Sequence, residues 1–169
     1  MPSPMPEHPS TVLAVIGLGA NLGDARATLE SAFAALAHLP HTQLRAVSSI
    51  YRSAPIDSSG DDYLNAVALL DTRLAAQMLL VELQRIERRH GRERPYRNAP
   101  RTLDLDLLLH GEQCLDTPTL TLPHPRAHER AFVLVPLAQI APQLAIPGRG
   151  CVVDLLASVA GQRIDRLQR

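Results

Sequence analysis

Apolar and acidic residues alternate through Leu103-Asp-Leu-Asp-Leu107, the period-two pattern of a half-buried strand. Side chains at i and i+2 leave a strand on one face, so Asp104 and Asp106 point one way and Leu103, Leu105 and Leu107 point to the core. Upstream, Thr11 to Leu18 is a β-branched, apolar run that predicts a buried first strand. A turn rich in glycine and asparagine is expected from Gly17 to Gly23. Asp24 has the position of an N-cap for a helix running to about His38, with Leu29, Phe33 and Leu36 on its core face. Pro40 ends that helix, and Gln43 to Tyr51 predicts a second strand. Arg52 to Asp62 reads as a polar loop, and Tyr63 to Leu70 as a third strand with Tyr63 and Asn65 on one face. Leu74 to His90 predicts a second helix. Its apolar stripe is Leu79, Leu80, Leu83 and Ile86; Gln84, Glu87 and Arg88 lie off the stripe, and Gly91 is the C-cap glycine.

The segment from Arg92 to Arg101 carries Pro95 and Pro100 and reads as a loop. After the Asp-Leu-Asp strand, Gly111 turns the chain into an irregular excursion up to Leu122. His124, Arg126, His128 and Arg130 then precede an apolar helix, Ala131 to Ile140. Pro142 and Pro147 are expected to end the compact part, with Val152 to Ala160 as a small terminal helix. The order β-α-β-β-α-β predicts an α+β fold, a ferredoxin-like antiparallel sheet with both helices on one face and C-terminal loop and helix additions. The opposite face is expected to stay open as a groove. Residues 1–10, with four prolines, are expected to be a disordered tail, and residues 11–169 one domain.

Composition narrows the function classes. A chain of 169 residues with 46% hydrophobic content can bury a proper core. Zero formal net charge argues against a general nucleic-acid or membrane-surface binder. All 17 basic residues are arginine, so a P-loop lysine, a Schiff-base lysine and a kinase strand lysine are excluded. Cys114 and Cys151 lack ligand-like spacing. No apolar run reaches transmembrane length and the first residues lack a signal-peptide layout, so a reducing cytoplasm is expected.

Two carboxylates about 7 Å apart on one strand face repel unless a cation lies between them. The pair suits Mg²⁺, which takes one or two carboxylates together with phosphate oxygens; a solvated strand face is the plainer alternative. Seven arginines between Arg85 and Arg101 place phosphate-binding forks just before the acidic strand, although arginine loops are commonly just solvated. Tyr63 beside Asn65 suits a flat heterocycle, with a ring to stack and an amide to donate and accept, or else an edge-strand Tyr beside a bulge Asn. Gly17-x-Gly19 invites a dinucleotide reading, but the third glycine of that fingerprint falls one residue late, at Gly23, and a structural turn is the better reading.

Taken in order, Gly19-Ala-Asn-Leu-Gly-Asp24, Ser49-x-Tyr-Arg52, Asp62-Tyr-Leu-Asn-Ala66, Gln84-Arg-Ile-Glu87, Gly91-Arg-x-Arg94, Pro100-Arg-Thr-Leu-Asp-Leu-Asp106 and Pro123-His-Pro-Arg126 through Phe132 resemble the 6-hydroxymethyl-7,8-dihydropterin pyrophosphokinases of folate biosynthesis. The resemblance spans Gly17 to Leu144 and is most specific at Arg101 to Asp106. It implies transfer of the β,γ-diphosphate of ATP to the pterin hydroxymethyl group, with release of AMP. It also implies two Mg²⁺ ions on Asp104 and Asp106, and Arg92 and Arg101 gripping the phosphates with help from Arg94 and Arg97. Gln84, Glu87, His124 and Arg130 fall at ATP-contacting positions. The pterin is expected to stack between Tyr63 and Phe132, with Asn65 on its edge and backbone groups of Ser53, Ala54 and Ile56 completing the pocket. Asp106 and a metal-bound hydroxide are both candidates to take the substrate proton. The implied partners are ATP and the pterin, with no nucleic acid or membrane, in a monomer.

Three departures from the family pattern stand out. Asn98-Ala99 replaces a common Trp-Gly, so an aromatic lid depends on Tyr96. Ala54 stands where proline is common, and Arg126 adds a cation near the nucleotide. A nucleotidyltransferase on the same fold, releasing pyrophosphate instead of AMP, and a non-catalytic small-molecule sensor are the alternatives from the residues alone.

Overall fold

A computed structural model of the chain describes residues 11–21, 23–54, 62–91 and 103–168. The expected N-terminal tail, and the expectations for Ile56, Arg92, Arg94, Tyr96, Arg97, Asn98 and Arg101, lie outside the described residues.

The elements run β1 (Val12–Ala20), α1 (Ala25–Ala37), β2 (Thr42–Val47), β3 (Tyr51–Ser53), β4 (Tyr63–Thr72), α2 (Ala76–Arg89) and β5 (Asp104–His110). They continue through the hairpin β6 (Leu115–Asp116) and β7 (Thr121–Leu122) to α3 (Ala131–Ile140), β8 (Ala145–Ile146), β9 (Gly150–Cys151), α4 (Val152–Leu155) and β10 (Ile164–Arg166). The fold is a mixed one, an antiparallel sheet carrying helices. Along the sheet the order is β10-β3-β4-β1-β5, with β2 also paired to β4, and each of these pairs is antiparallel.

Strand alternation sends two sets of side chains to two cores. Ala14, Ile16 and Leu18 of β1, Ala66, Ala68 and Leu70 of β4, and Leu105 and Leu107 of β5 meet Leu29 and Leu36 of α1 and Leu79, Leu83 and Ile86 of α2. Val15, Val67, Leu69 and Leu108 face the other way and meet Val133, Leu134 and Leu137 of α3. Asp24 caps α1 as expected, its carboxylate accepting the Ala27 N–H at 3.1 Å. Gly91 follows α2 with φ +86° and Gly111 ends β5 with φ +58°, the left-handed backbone that glycine adopts without penalty.

Four expectations need correcting. β1 does not turn at Gly17 but stays extended through Ala20, paired residue by residue with β4. The second strand is two strands, because residues 48–50 leave the ladder: Ser48 exchanges bonds with Val67 through its N–H and hydroxyl. Val67 is thereby satisfied without a continuous strand. The face opposite α1 and α2 is not open along its length, since α3 packs on it and confines the groove to one end. The chain past Pro142 belongs to the compact body. Ile146, Val152 and Val159 are buried with α3, and β10 adds a strand beside β3.

Candidate active site

The register of the sheet assembles the site. On β1, Gly17 lies opposite Val67 of β4 and Asp106 of β5, and Gly19 lies opposite Asn65 and Asp104. On β3, Tyr51 pairs with Asn65 and Ser53 with Tyr63. Directly paired residues share a face, so Ser53, Tyr63, Asn65, Gly17, Gly19, Asp104 and Asp106 all look the same way. The two glycines leave bare backbone between the aromatic-amide strand and the acidic one. Glycine inside a strand commonly marks close approach of another group, and here it forms a floor about two strand spacings, roughly 10 Å, wide.

Over this floor lies a cavity of about 400 Å³. Its far wall is Arg126, Arg130, Phe132 and Val133, from the approach to α3 and its first turn. The Arg130 guanidinium lies over the Phe132 ring, 5.3 Å from its centroid, a cation–π contact. The cavity thus brings together six of the expected site residues on the described chain outside the acidic strand, namely Ser53, Ala54, Tyr63, Asn65, Arg130 and Phe132, and sets them against Asp104 and Asp106.

Asn65 is buried, and the Ser53 hydroxyl donates to its Oδ1. That bond fixes the amide orientation and turns Nδ2 towards Gly19, where a Cβ would come within 3.3 Å of it. Asn65 therefore presents a donor towards the glycine floor.

His124, Gln84 and Glu87 are placed differently. The His124 N–H donates to the Leu108 carbonyl at 2.9 Å, fastening the segment after β7 across β5. Its Nδ1 accepts the Arg126 N–H at 3.2 Å, so Nε2 carries the proton in the neutral ring. Burial pushes the imidazole below the ordinary histidine pKa. Asp106 opposes the shift, and Arg130 and Arg126 reinforce it. Gln84 is exposed on α2. Glu87 is not off the apolar stripe: it is buried, at 4% exposure, and its Oε2 accepts the Leu105 N–H at 2.9 Å. A carboxylate that spends itself on a backbone donor can sit in a core where an unsatisfied one could not.

Two contributions to the site are not evident from local sequence. Gly17 and Gly19 carry turn chemistry, and only the β-branched run entering them signals a continuing strand. The Ser53 hydroxyl has its partner, Asn65, twelve residues away, and the two become neighbours only through the β3–β4 pairing.

Among the described residues, no group of three or more His, Cys, Asp or Glu side chains could hold a metal ion. Mg²⁺ asks for less from the protein than that, completing its oxygens from water and substrate phosphates, and the Asp104–Asp106 face fits that demand. No described helix is long and apolar enough to cross a membrane.

The site can be set beside known proteins. Residues 15–142 match the family model of 7,8-dihydro-6-hydroxymethylpterin-pyrophosphokinase. The chain is 46% identical over 153 residues to the 2-amino-4-hydroxy-6-hydroxymethyldihydropteridine pyrophosphokinase of Pseudomonas aeruginosa, covering 90% of this chain and 94% of that one. It is 41% identical over 157 residues to the enzyme of the same name from Haemophilus influenzae, covering 92% and 98%. A crystal structure of a Plasmodium falciparum HPPK-DHPS superimposes with a TM-score of 0.72 at 14% identity, over 90% of this chain and 46% of that one. That likeness speaks for the fold alone, and the chain spans less than half the length of that protein. Family match and relatives agree with the geometry, and the chain belongs to the 7,8-dihydro-6-hydroxymethylpterin-pyrophosphokinase family, transferases that move diphosphate from ATP to hydroxymethyldihydropterin in folate biosynthesis.

Proposed function

We propose that the cavity holds the pterin against its Tyr63, Asn65 and Phe132 side and the ATP phosphates against its Asp104, Asp106 and arginine side. The observation that carries this reading is the pairing of Gly19 with both Asn65 and Asp104, which sets a heterocycle site and an acidic site on one bare floor. Tyr63 and Phe132 are half-buried, so each has ring surface to offer a flat ligand. Asn65, oriented by Ser53, donates to an acceptor on the heterocycle edge. The hydroxymethyl group then lies towards β5, and no protein nucleophile is needed because that hydroxyl attacks phosphorus.

Asp104 and Asp106 would hold Mg²⁺, which when bound offsets charge on the triphosphate oxygens. Arg130 and Arg126 reach the same cavity and add positive charge that is not lost at high pH. His124, neutral and with its proton on Nε2, donates a hydrogen bond without adding charge. Arg92, Arg94, Arg97 and Arg101 carry the rest of the phosphate grip in this reading, on the strength of the motif. Gln84 keeps its assigned place near ATP by the same argument, and Ile56 its place at the pterin; Glu87, whose carboxylate accepts the Leu105 N–H, serves the ATP side through the acidic strand it holds. The strand order and pairings support the ferredoxin-like description of the sheet, and free thiols at Cys114 and Cys151 accord with a cytoplasmic enzyme. We take the chain to act as a monomer.

Separate substitutions on the two sides test the assignment. Phe132→Ala and Tyr63→Ala should raise KM for the pterin by about tenfold or more, the loss of an aromatic contact. Asp104→Asn should lower kcat with little change in pterin binding. The reverse pattern, with the aspartate governing pterin affinity, would contradict the division of the cavity.

A further inference from the structure

The amide of Gln162 lies outside the matched family region, which ends at residue 142, and it grips the backbone on both sides of Arg130. Its Oε1 accepts the Ala131 N–H at 2.8 Å, and its Nε2 donates to the Glu129 carbonyl at 2.7 Å. Ala131 is the first residue of α3, and no side chain of the N-cap residue, Arg130, satisfies the helix start. The first turn of a helix has N–H groups with no partner inside the helix, and arginine has no oxygen to offer them. Gln162 supplies the acceptor from 31 residues away.

Two bonds from one planar amide fix an orientation as well as a position, because a single bond would leave the backbone free to pivot. The segment held this way presents Arg130 and Phe132 to the cavity. Two residues after Gln162, Ile164 begins β10 and pairs with Ser53 of β3, on the opposite wall. An adjoining space of about 430 Å³ is lined by Ser53, Ala54, Arg130, Phe132, Gln162 and Arg163, so the amide stands where the two walls meet.

We propose that Gln162 is a positioning residue that sets the Arg130–Phe132 wall against the Ser53 wall. Its bonds to Glu129 and Ala131 leave the contact with substrate to Arg130 and Phe132. The role rests on the reading above that Phe132 stacks on the pterin. A plain helix cap would contribute stability alone; a positioning residue alters substrate affinity through its neighbours.

The test compares KM for the pterin, kcat and thermal midpoint for Gln162→Ala, Gln162→Glu, Phe132→Ala and the double variant Gln162→Ala/Phe132→Ala. Gln162→Ala should raise the pterin KM about fivefold with kcat within about twofold, a loss of binding shared by ground and transition states. Gln162→Glu keeps the acceptor for Ala131 at a helix N-terminus, where negative charge is favourable, but cannot donate to Glu129. It should lower the midpoint less than Gln162→Ala does, with an intermediate KM, and it carries the comparison if the alanine variant does not fold. In the double variant the pterin KM should be no higher than in Phe132→Ala, since Gln162 reaches the pterin only through Phe132. A lowered midpoint with an unchanged pterin KM in both Gln162 variants would reduce the amide to a cap and overturn the proposal. If Phe132→Ala leaves the pterin KM unchanged, the stacking reading itself falls, and this role falls with it.

Discussion

The Glu87 carboxylate accepts the backbone N–H of Leu105 at 2.9 Å, the residue between Asp104 and Asp106. β5 lies at the end of the sheet order, with β1 on its other side, and an edge strand presents N–H groups that the sheet does not pair. α2 therefore braces the acidic strand at the point where its two carboxylates diverge from the core leucines. Glu87→Ala should lower stability by about 1–3 kcal/mol, the cost of a buried donor left unsatisfied, and should lower kcat as the aspartates lose their fixed spacing. Glu87→Gln keeps an acceptor and should lose less of both. Urea unfolding with kcat measured in parallel checks this; an unchanged urea midpoint in Glu87→Ala would contradict the bracing role.

Ser53→Ala removes the donor that orients the Asn65 amide. One net hydrogen bond is worth about 0.5–1.5 kcal/mol, so the pterin KM should rise roughly three- to tenfold with kcat nearly unchanged. Ser53→Thr, which keeps the hydroxyl, should restore most of the affinity. Steady-state kinetics at saturating ATP distinguishes the two variants.

Gly19→Ala places a methyl 3.3 Å from the Asn65 amide nitrogen, and Gly17→Ala places one 3.2 Å from the Leu108 side chain. Both positions sit in extended backbone where alanine is tolerated, so the penalty falls on the floor of the cavity. Pterin affinity should drop more in Gly19→Ala than in Gly17→Ala, because the first displaces a polar group of the site and the second presses on Leu108 in the core. Titrating the pterin against each folded variant measures the difference.

Gln139, near the end of α3, accepts the Ser49 N–H at 2.9 Å and the Tyr51 hydroxyl at 2.8 Å, and donates to the Ser49 hydroxyl at 3.0 Å. Gln139→Ala should cost about 0.5–1.5 kcal/mol of stability, the net worth of a partly solvent-exposed hydrogen bond, measured by urea unfolding. Burial raises the Tyr51 phenol pKa, with Arg166 opposing. A folded-state value above the unfolded one of about 10 gives a contribution that is complete below that pH and is lost as pH rises through the folded value. Stability should therefore fall on the alkaline side, and Tyr51→Phe should flatten that fall.

The sequence pattern located the helices closely because their signals are local. The Asp24 cap, the leucine stripe of α2 and the run from Ala131 each lie within a few turns of chain. The acidic strand was equally legible, since its alternation needs no partner to be read. What escaped were features made by pairing across distance. Gly17-x-Gly19 looked like a turn, and became a cavity floor only once β4 and β5 flanked it. Glu87 sat near the polar side of a helical wheel, yet an N–H on a strand edge drew it inward. Pro142 and Pro147 looked like an end to the packed body, whereas the residues beyond them form β10 beside the site.

On the proposed division of the cavity, the paired carboxylates of β5 serve the phosphates and the Asn65 side serves the pterin. AMP release from ATP and 6-hydroxymethyl-7,8-dihydropterin, followed across a Mg²⁺ titration for the wild type and for Asp106→Asn, is the decisive experiment. The wild type should release AMP only in the presence of Mg²⁺. Asp106→Asn should lose about a hundredfold or more in kcat, with pterin binding and the unfolding midpoint retained. AMP release by Asp106→Asn at the wild-type rate and with the wild-type Mg²⁺ dependence would rule this division out.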